Sequence, residues 1–372
     1  MSLSIFIGLC GQVKNGYESS GRGESRLALN LLRCLKDYDH HIVIAPDMEE
    51  ARWGDCVKPD NVELFQPWDK HKINKRNFDV AIFSSWLSER NEAFYIHARK
   101  YLWAIMGGWK REVEYDGYNK DNDYVVRWTR EDLESCPTHI DFRDRCALLA
   151  QPFGKSFGES KFENKRVAWV AKEAFMPQTN PSLSEAAARH LIAVIDACNE
   201  TGSSLSIFCC HELDPKNAPR VVELGVYDKL KKLDKVIMYP TLSIPEYSRE
   251  LQKCSVTMPM AFAGSVQESV FNGLVPLMYK DNTFAYHPAV RSIVAEMTNG
   301  KSSRFQDEAG KKDILSSEEI KNKTIELLTD ESKYNYYLKK LRPMVEDNLD
   351  DAVVAQLMDI MNHRNKTDNI RR

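Results

Sequence analysis

The segment from Met260 to Pro276 holds the residues whose types and spacing best suit chemistry, and Glu268 is its one carboxylate. We predict a strand end, a turn at Gly264 and Ser265, and then a helix. Free backbone N–H groups at a helix start favour an anion such as a diphosphate. A glutamate about one turn into that helix can accept two hydrogen bonds from a vicinal diol such as a ribose. The pattern predicts a nucleotide-sugar site, and a solvated helix glutamate is the plainer alternative.

A glycine-rich loop near the start of the chain is the second candidate. It follows the first predicted strand, runs from Gly11 to Arg26, and contains Gly21, Arg22 and Gly23. Such a loop can approach phosphates closely. It is not a Walker loop, because Arg22 and Gly23 stand where Lys and Ser or Thr belong, and it lacks the third glycine of a dinucleotide fingerprint. Phosphate contact through Arg22 and a flexible surface loop are both open.

The nine cysteines predict reduced thiols, because their number is odd and no C-x-x-C pair occurs. Several lie in apolar runs, where a thiol behaves as a small hydrophobic group: Cys10, Cys198, Cys209 and Cys254. Cys209, Cys210 and His211 adjoin. Because neighbouring residues on a strand point to opposite faces, they make a poor chelate, and we expect no metal site.

Two further clusters could contact an acceptor. A basic cluster with aromatic neighbours could hold a phosphate backbone, although a solvated connection is the more common reason for such a run: Trp68, Lys70, His71, Lys72, Lys75, Arg76 and Phe78. An aromatic segment could stack on sugars or bases, and buried packing explains its first member equally well: Trp103, Trp109, Tyr115 and Tyr118.

Length and composition limit the class of protein. A chain of 372 residues exceeds what one hydrophobic core usually organises, so we expect two domains. With 43% hydrophobic and 28% charged residues the composition is that of a soluble globular protein. A net charge of -3 and a pI near 6.3 argue against a strongly basic nucleic-acid binder. No apolar run approaches the roughly 18 residues of a membrane span, and the start lacks a secretion signal, so we expect a cytoplasmic protein.

Short apolar runs alternate with amphipathic helical patterns, which predicts parallel α/β layers. In the first half one helix begins near Ser25 with Leu27, Leu31, Leu32 and Leu35 on one face, and another spans 89–99. The predicted strands are 3–9, 41–45, 62–65, 80–84, 101–106, 124–127 and 146–149. The second half restarts the pattern, with strands at 166–170, 205–209, 236–238, 255–258 and 275–279 and helices at 184–199, 244–252 and 266–272.

The domains join in the segment 151–164, which is rich in Gly, Ser, Lys and Glu. We therefore predict two doubly wound, Rossmann-like domains that face each other across a cleft. The first spans 1–155 and the second spans 156–345. Residues 346–372 form a last helix, 350–362, and a polar tail.

On these residues the chain resembles the glycosyltransferases of the GT-B fold, especially the retaining branch. Glu268, Gly273 and Pro276 match the second half of that family's donor motif, and Phe262 stands where an aromatic is common. Met260 takes the place of the first carboxylate. Two residues separate Gly273 from Pro276, and in this spacing the chain is similar to phage DNA α-glucosyltransferases.

The resemblance extends to other segments. Lys172, at the end of a predicted strand, would replace the arginine that neutralises the donor diphosphate, while a second lysine of the family has no match. The segment 236–252 resembles the strand, loop and helix that hold the nucleotide base. Gly21 and Gly23 would lie beside donor phosphate and acceptor, and the last helix would return to pack on the first domain.

The resemblance implies transfer of a sugar from a nucleoside diphosphate donor, in first place a UDP-sugar, to a hydroxyl of a glycan, lipid-linked or small-molecule acceptor. Lys172, Arg22 and the N–H groups of Gly264 and Ser265 would stabilise the leaving diphosphate, so no tightly bound metal or cofactor is required. Glu268 would hold the ribose. Two alternatives stay open: a DNA enzyme acting on a flipped hydroxymethylated base, and a binding module without catalysis, which Met260 favours.

Overall fold

The computed structural model describes residues 3–8, 30–35, 41–44, 61–64, 75–84, 96–104, 123–128, 130–134, 145–170, 181–208, 222–239, 242, 244–259, 264–277, 288–299 and 315–362. The chain divides into two compact units. The first unit comprises Met1–Ser156 and Glu346–Arg372, and the second comprises Phe157–Val345. In the described residues each unit has one sheet, and the strand pairs are all parallel.

The first unit contains a seven-stranded sheet in the order β3-β2-β1-β4-β5-β6-β7. This is the Rossmann order with one further strand at its edge, and the strand order reverses between β1 and β4. The strands are β1 Ser4–Gly8, β2 His41–Ile44, β3 Val62–Leu64, β4 Asn77–Ser84, β5 His97–Ala104, β6 Asp123–Arg127 and β7 Cys146–Leu148.

The core of the first unit includes the last helix of the chain. Helices cover residues 30–35, Arg130–Glu134 and Asp350–Asn362, and a 3₁₀ segment covers Arg342–Asn348. Apolar side chains of the last helix pack with those of β1 and of residues 30–35: Ile5, Ile7, Leu31, Leu32, Leu35, Val353, Val354, Leu357 and Ile360. Asp350 accepts two hydrogen bonds from the guanidinium of Arg33, at 2.7 and 2.9 Å. Burial and this ion pair hold the last helix on the first unit.

The second unit repeats the same topology with five strands, in the order β10-β9-β8-β11-β12. The strands are β8 Arg166–Trp169, β9 Ser204–Ile207, β10 Val236–Met238, β11 Val256–Met258 and β12 Val275–Pro276. The helices are Pro181–Thr201, Val226–Lys231, Ile244–Leu251, Gly264–Phe271, Pro288–Met297, Ser317–Thr329 and Glu331–Leu341, with a 3₁₀ turn at Phe162–Asn164. None of the described helices is both long and apolar enough to cross a membrane.

The predicted α/β fold class is confirmed, and each of the twelve described strands overlaps a predicted strand. One helix prediction is wrong at its end. Residues 97–99 belong to β5, which pairs with β4 in a register that places His97 beside Asn77. The polar spacing of this segment suits an exposed helix face, but pairing with the buried strand β4 decides the conformation. The rest of that predicted helix lies outside the described residues, apart from Ile96.

Candidate active site

In the second sheet, two neighbouring strands end side by side at the carboxyl edge of the sheet. β8 and β11 are neighbours, and their last residues, Trp169 and Met258, are in register. The connection from β8 continues to β9 on one side, and that from β11 continues to β12 on the other, so the strand order reverses here. Ligands of doubly wound sheets bind at the carboxyl ends of strands at such a reversal. The ends of β8 and β11 therefore lie side by side, and in the sequence Lys172 follows the first and Gly264 the second.

The helix Gly264–Phe271 begins at this edge. The predicted turn at Gly264 and Ser265 is wrong, because both residues belong to the first turn of the helix. Glycine and serine favour turns, but they are also tolerated at a helix start, where the first N–H groups need no intrahelical acceptor. These two residues are partly exposed. The positive end of the helix dipole thus lies at the edge where an anion was predicted.

Glu268 lies one turn into this helix and is 4% exposed. The plainer alternative, a solvated helix glutamate, is therefore wrong. Its backbone carbonyl accepts hydrogen bonds from the backbone N–H of Asn272 at 3.0 Å and from the side-chain amide of Asn272 at 2.8 Å. A carboxylate is costly to desolvate, so burial makes Glu268 an unusual helix residue.

Gly273 has a structural explanation. Its φ is +87°, which disfavours any residue with a Cβ. Its N–H donates to the carbonyl of Val270 at 3.0 Å, and the N–H of Leu274 donates to that of Ser269 at 2.9 Å. These two bonds define a Schellman motif that ends the helix. The hydroxyl of Tyr334 also donates to the carbonyl of Gly273, at 2.7 Å.

Pro276 also fits its place in the fold. It lies in β12, which pairs with β11 alone among the described strands. Proline lacks the N–H that a central strand needs, so it is tolerated in such an edge strand. Of the three positions that resemble the GT-B donor motif, two are thus explained by backbone geometry, and Glu268 is the one with an ionisable side chain.

An aromatic cluster follows the ends of β9 and β10, and sequence reasoning missed it. The ring of Phe208 stacks on Tyr239, with centroids 4.9 Å apart, and meets the edge of Tyr247 at 5.0 Å. The Tyr239 hydroxyl donates to Glu250 at 2.7 Å, and burial together with this bond raises the pKa of Tyr239 to about 12. Lys253 donates to the same carboxylate at 2.7 Å. Burial opposes ionisation of Glu250, but the bonds from Lys253 and Tyr239 outweigh it and lower its pKa.

Most other predicted site residues lie outside the described residues: Gly21, Arg22, Gly23, Lys172, Met260 and Phe262. The same holds for Cys209, Cys210 and His211. Among the residues that the structure describes, no group of three or more His, Cys, Asp or Glu side chains could hold a metal ion. Of the cysteines predicted to be buried, Cys198 and Cys254 are buried thiols, and burial raises the pKa of each to about 12.

The two clusters proposed as acceptor contacts are corrected in part. Arg76 pairs with Glu63 through two bonds of 2.6 and 2.9 Å on the surface, and Phe78 is buried within β4, so Phe78 cannot stack on a base. Trp103 is 4% exposed and stacks on Phe83 with centroids 5.1 Å apart. Buried packing is therefore its role. Trp109, Tyr115 and Tyr118 lie outside the described part of the chain.

No protein-family model matches the sequence, and no curated protein matches it either. Comparison of the folds finds many solved structures. A proposed UDP-N-acetylglucosamine 2-epimerase from Listeria monocytogenes superposes with a TM-score of 0.59 at 13% identity, over 98% of both chains. Phytolacca americana UGT2, complexed with UDP-2-fluoro-glucose and pterostilbene, gives 0.56 at 10% identity, over 97% of this chain and 100% of that one. The fold is GT-B.

A third structure supports the same fold. The UDP-GlcNAc 2-epimerase of Neisseria meningitidis, bound to UDP-GlcNAc, gives a TM-score of 0.54 at 12% identity, over 96% of this chain and 100% of that one. At such low identity the likeness establishes the GT-B fold and leaves the chemistry to the residues of the site.

Proposed function

We propose that this GT-B protein is a glycosyltransferase that moves a sugar from a nucleoside diphosphate sugar, in first place a UDP-sugar, to a hydroxyl acceptor. The observation that carries the proposal is Glu268. It is a buried carboxylate one turn into a helix that starts where the strand order of a parallel sheet reverses. The structures of the Phytolacca and Neisseria proteins, which share the fold, contain UDP-sugars.

In this proposal Glu268 accepts hydrogen bonds from the ribose hydroxyls, and the first N–H groups of the helix, at Gly264 and Ser265, bind the diphosphate. Lys172 follows the neighbouring strand β8 and neutralises the leaving diphosphate together with Arg22. The bond between the anomeric carbon and the diphosphate oxygen breaks, the acceptor oxygen takes its place, and the acceptor hydroxyl passes its proton to the leaving diphosphate. The donor is a co-substrate, and no tightly bound cofactor enters the scheme.

We also propose roles for the larger parts of the chain. Residues 1–155 bind the acceptor, a glycan, lipid-linked or small-molecule hydroxyl, with Gly21 and Gly23 allowing close approach of the backbone. Residues 156–345 bind the donor, and residues 346–372 belong with the first domain. A retaining outcome is proposed on the resemblance in sequence alone, and a proton NMR spectrum of the product would show the anomeric configuration. DNA is not proposed as acceptor, since none of the three structures compared is described as acting on DNA.

A thermal-shift panel with UDP, GDP, ADP and CMP tests donor binding. A ligand at 100 times its Kd stabilises the folded state by roughly 2.7 kcal/mol, which raises the melting temperature visibly. We expect the largest shift with UDP. Absence of a shift with every nucleotide would overturn the proposal.

Incubation with UDP-sugars, followed by NMR, then separates the activities that the GT-B fold supports. A transferase releases UDP rapidly only with an acceptor and slowly by hydrolysis without one. Conversion of UDP-GlcNAc to its C2 epimer in the absence of acceptor would replace the transferase by an epimerase. Nucleotide binding with neither reaction would indicate a module without catalysis.

A further inference from the structure

The far end of the Gly264–Phe271 helix is fixed by one side chain, Asn272. Resting on the proposed function, we infer that Asn272 is a positioning residue for donor binding. It sets the position of Glu268 by joining the Gly264–Phe271 helix to the helix Ile244–Leu251. Asn272 is 2% exposed, and its side-chain amide already bonds Glu268, Ser248 and Gln252, so it would act through the helix.

The contacts of Asn272 connect three segments. Its Nδ2 donates to the carbonyl of Glu268 at 2.8 Å. Its Oδ1 accepts from the hydroxyl of Ser248 at 2.7 Å and from the side-chain amide of Gln252 at 2.9 Å. Because a carbonyl can only accept, the bond to Glu268 fixes which end of the amide is nitrogen. The Glu268 residue is therefore tied to the end of the neighbouring helix through one amide group.

These bonds exceed what helix termination requires. The Schellman motif at Gly273 already satisfies the carbonyls of Ser269 and Val270, and the Asn272 N–H already bonds the Glu268 carbonyl at 3.0 Å. Many residue types could occupy such a C-cap position. A side chain that adds a second bond to the same carbonyl and two bonds to another helix determines where the helix lies along its axis.

A third segment also contacts the backbone around Asn272. Gly158 donates its N–H to the Phe271 carbonyl at 2.8 Å, and a Cβ at Gly158 would lie 2.7 Å from the Asn272 Cα. The helix has only eight residues, about 12 Å, so it moves as a rigid unit. A displacement at its end is transmitted to Glu268, and small displacements of a binding group reduce its effect strongly.

The test is the donor kinetics of Asn272→Ala, which removes all three side-chain bonds, and of Asn272→Asp. The aspartate keeps the two acceptor bonds but places an oxygen against the Glu268 carbonyl. Because a ribose contact is the same in the ground and transition states, we expect the donor KM to rise about 5- to 20-fold and kcat to change less than about threefold. Thr298→Ala is the matched control, since the buried Thr298 hydroxyl donates to the Val294 carbonyl, four residues back, at 2.6 Å.

Thr298 follows the helix Pro288–Met297, for which we propose no ligand contact. Thr298→Ala should therefore lower the melting temperature of the protein without changing the donor KM. Ser248→Ala removes a single bond to Asn272 from outside the helix. It should also raise the donor KM, and it replaces Asn272→Ala if that variant fails to fold.

An unchanged KM in the Asn272 and Ser248 variants, with a raised KM in Glu268→Gln, would overturn the positioning role and leave the proposed function standing. An equal rise of the donor KM in Thr298→Ala would also overturn the positioning role. Absence of donor binding by the unaltered protein would remove the proposed function itself.

Discussion

The two ends of the Gly264–Phe271 helix differ in what surrounds them. At the first end, Gly264 and Ser265 are partly exposed at the sheet edge where the strand order reverses. At the other end, the carbonyls of Ser269, Val270 and Phe271 accept hydrogen bonds from Leu274, Gly273 and Gly158 in a buried environment. One end is held by bonds within the fold, and the other is the end at which we propose that the diphosphate binds.

This difference separates residues that a sequence motif presents as one group. Glu268, Gly273 and Pro276 share a spacing, but Gly273 ends a helix and Pro276 lies in an edge strand. Changes at Gly273 should therefore reduce stability, whereas changes at the Glu268 carboxylate should reduce ligand affinity. Asn272, just after the last residue of the helix, donates to the Glu268 carbonyl.

The largest effect is expected for Gly273→Ala. An alanine would have to adopt φ +87°, and its Cβ would lie 2.9 Å from the Gly158 carbonyl oxygen and the Ser160 nitrogen. The left-handed conformation costs about 1–2 kcal/mol and the overpacking about 1–3 kcal/mol, so the free energy of unfolding should fall by roughly 2–5 kcal/mol. Urea denaturation measures it.

Gly202→Ala is the control for that experiment, because Gly202 has φ +65° and open space around it. It should lose only the conformational part, about 1–2 kcal/mol. Equal losses at the two glycines would mean that the helix end is not tightly packed.

A smaller loss, about 1–3 kcal/mol, is expected for Gly158→Ala. Here no left-handed φ is involved, and the new Cβ would collide with backbone, 2.8 Å from the Asn272 carbonyl oxygen. The melting temperature should fall, and hydrogen exchange of the 264–271 amides should become faster because the helix end is displaced. Unchanged exchange with a lowered melting temperature would locate the damage elsewhere.

At the ligand end we expect Lys172→Ala to lower kcat about tenfold, or about 1.4 kcal/mol, with a smaller rise in KM. The reason is that charge on the leaving diphosphate grows in the transition state. Steady-state kinetics with saturating acceptor measures both constants. Wild-type turnover in this variant would mean that another cation, such as Arg22, neutralises the diphosphate.

The fold was predictable because apolar runs such as those of β1 and β8 mark buried parallel strands wherever they occur. The start of β5 was not, because His97, Ala98 and Arg99 fit a helix face until they pair with β4. Glycine and serine at 264 and 265 suggested a turn on propensity alone, and the helix includes both.

The site was predictable only where chemistry is local in sequence. Glu268 could be found from its spacing, whereas the bonds that fix it come from Ser248 and Gln252, 24 and 20 residues from Asn272. Such contacts follow from how two helices pack on one sheet, which no local pattern records. The stacking of Phe208 on Tyr239 has the same origin, since their strands are neighbours in the sheet and separate in the chain.

The most direct test of the account is a calorimetric titration of UDP into the protein and into Glu268→Gln, with the urea stability of both measured in parallel. Glu326→Gln is the control, because it is the same substitution on another helix of the same unit. There Glu326 pairs with Lys323 at 2.6 Å. We predict a loss of about 1–3 kcal/mol of binding free energy in Glu268→Gln, a 5- to 150-fold higher Kd. An unchanged Kd together with a clear loss of stability would show that Glu268 is a buried structural carboxylate and would contradict its role in nucleotide binding.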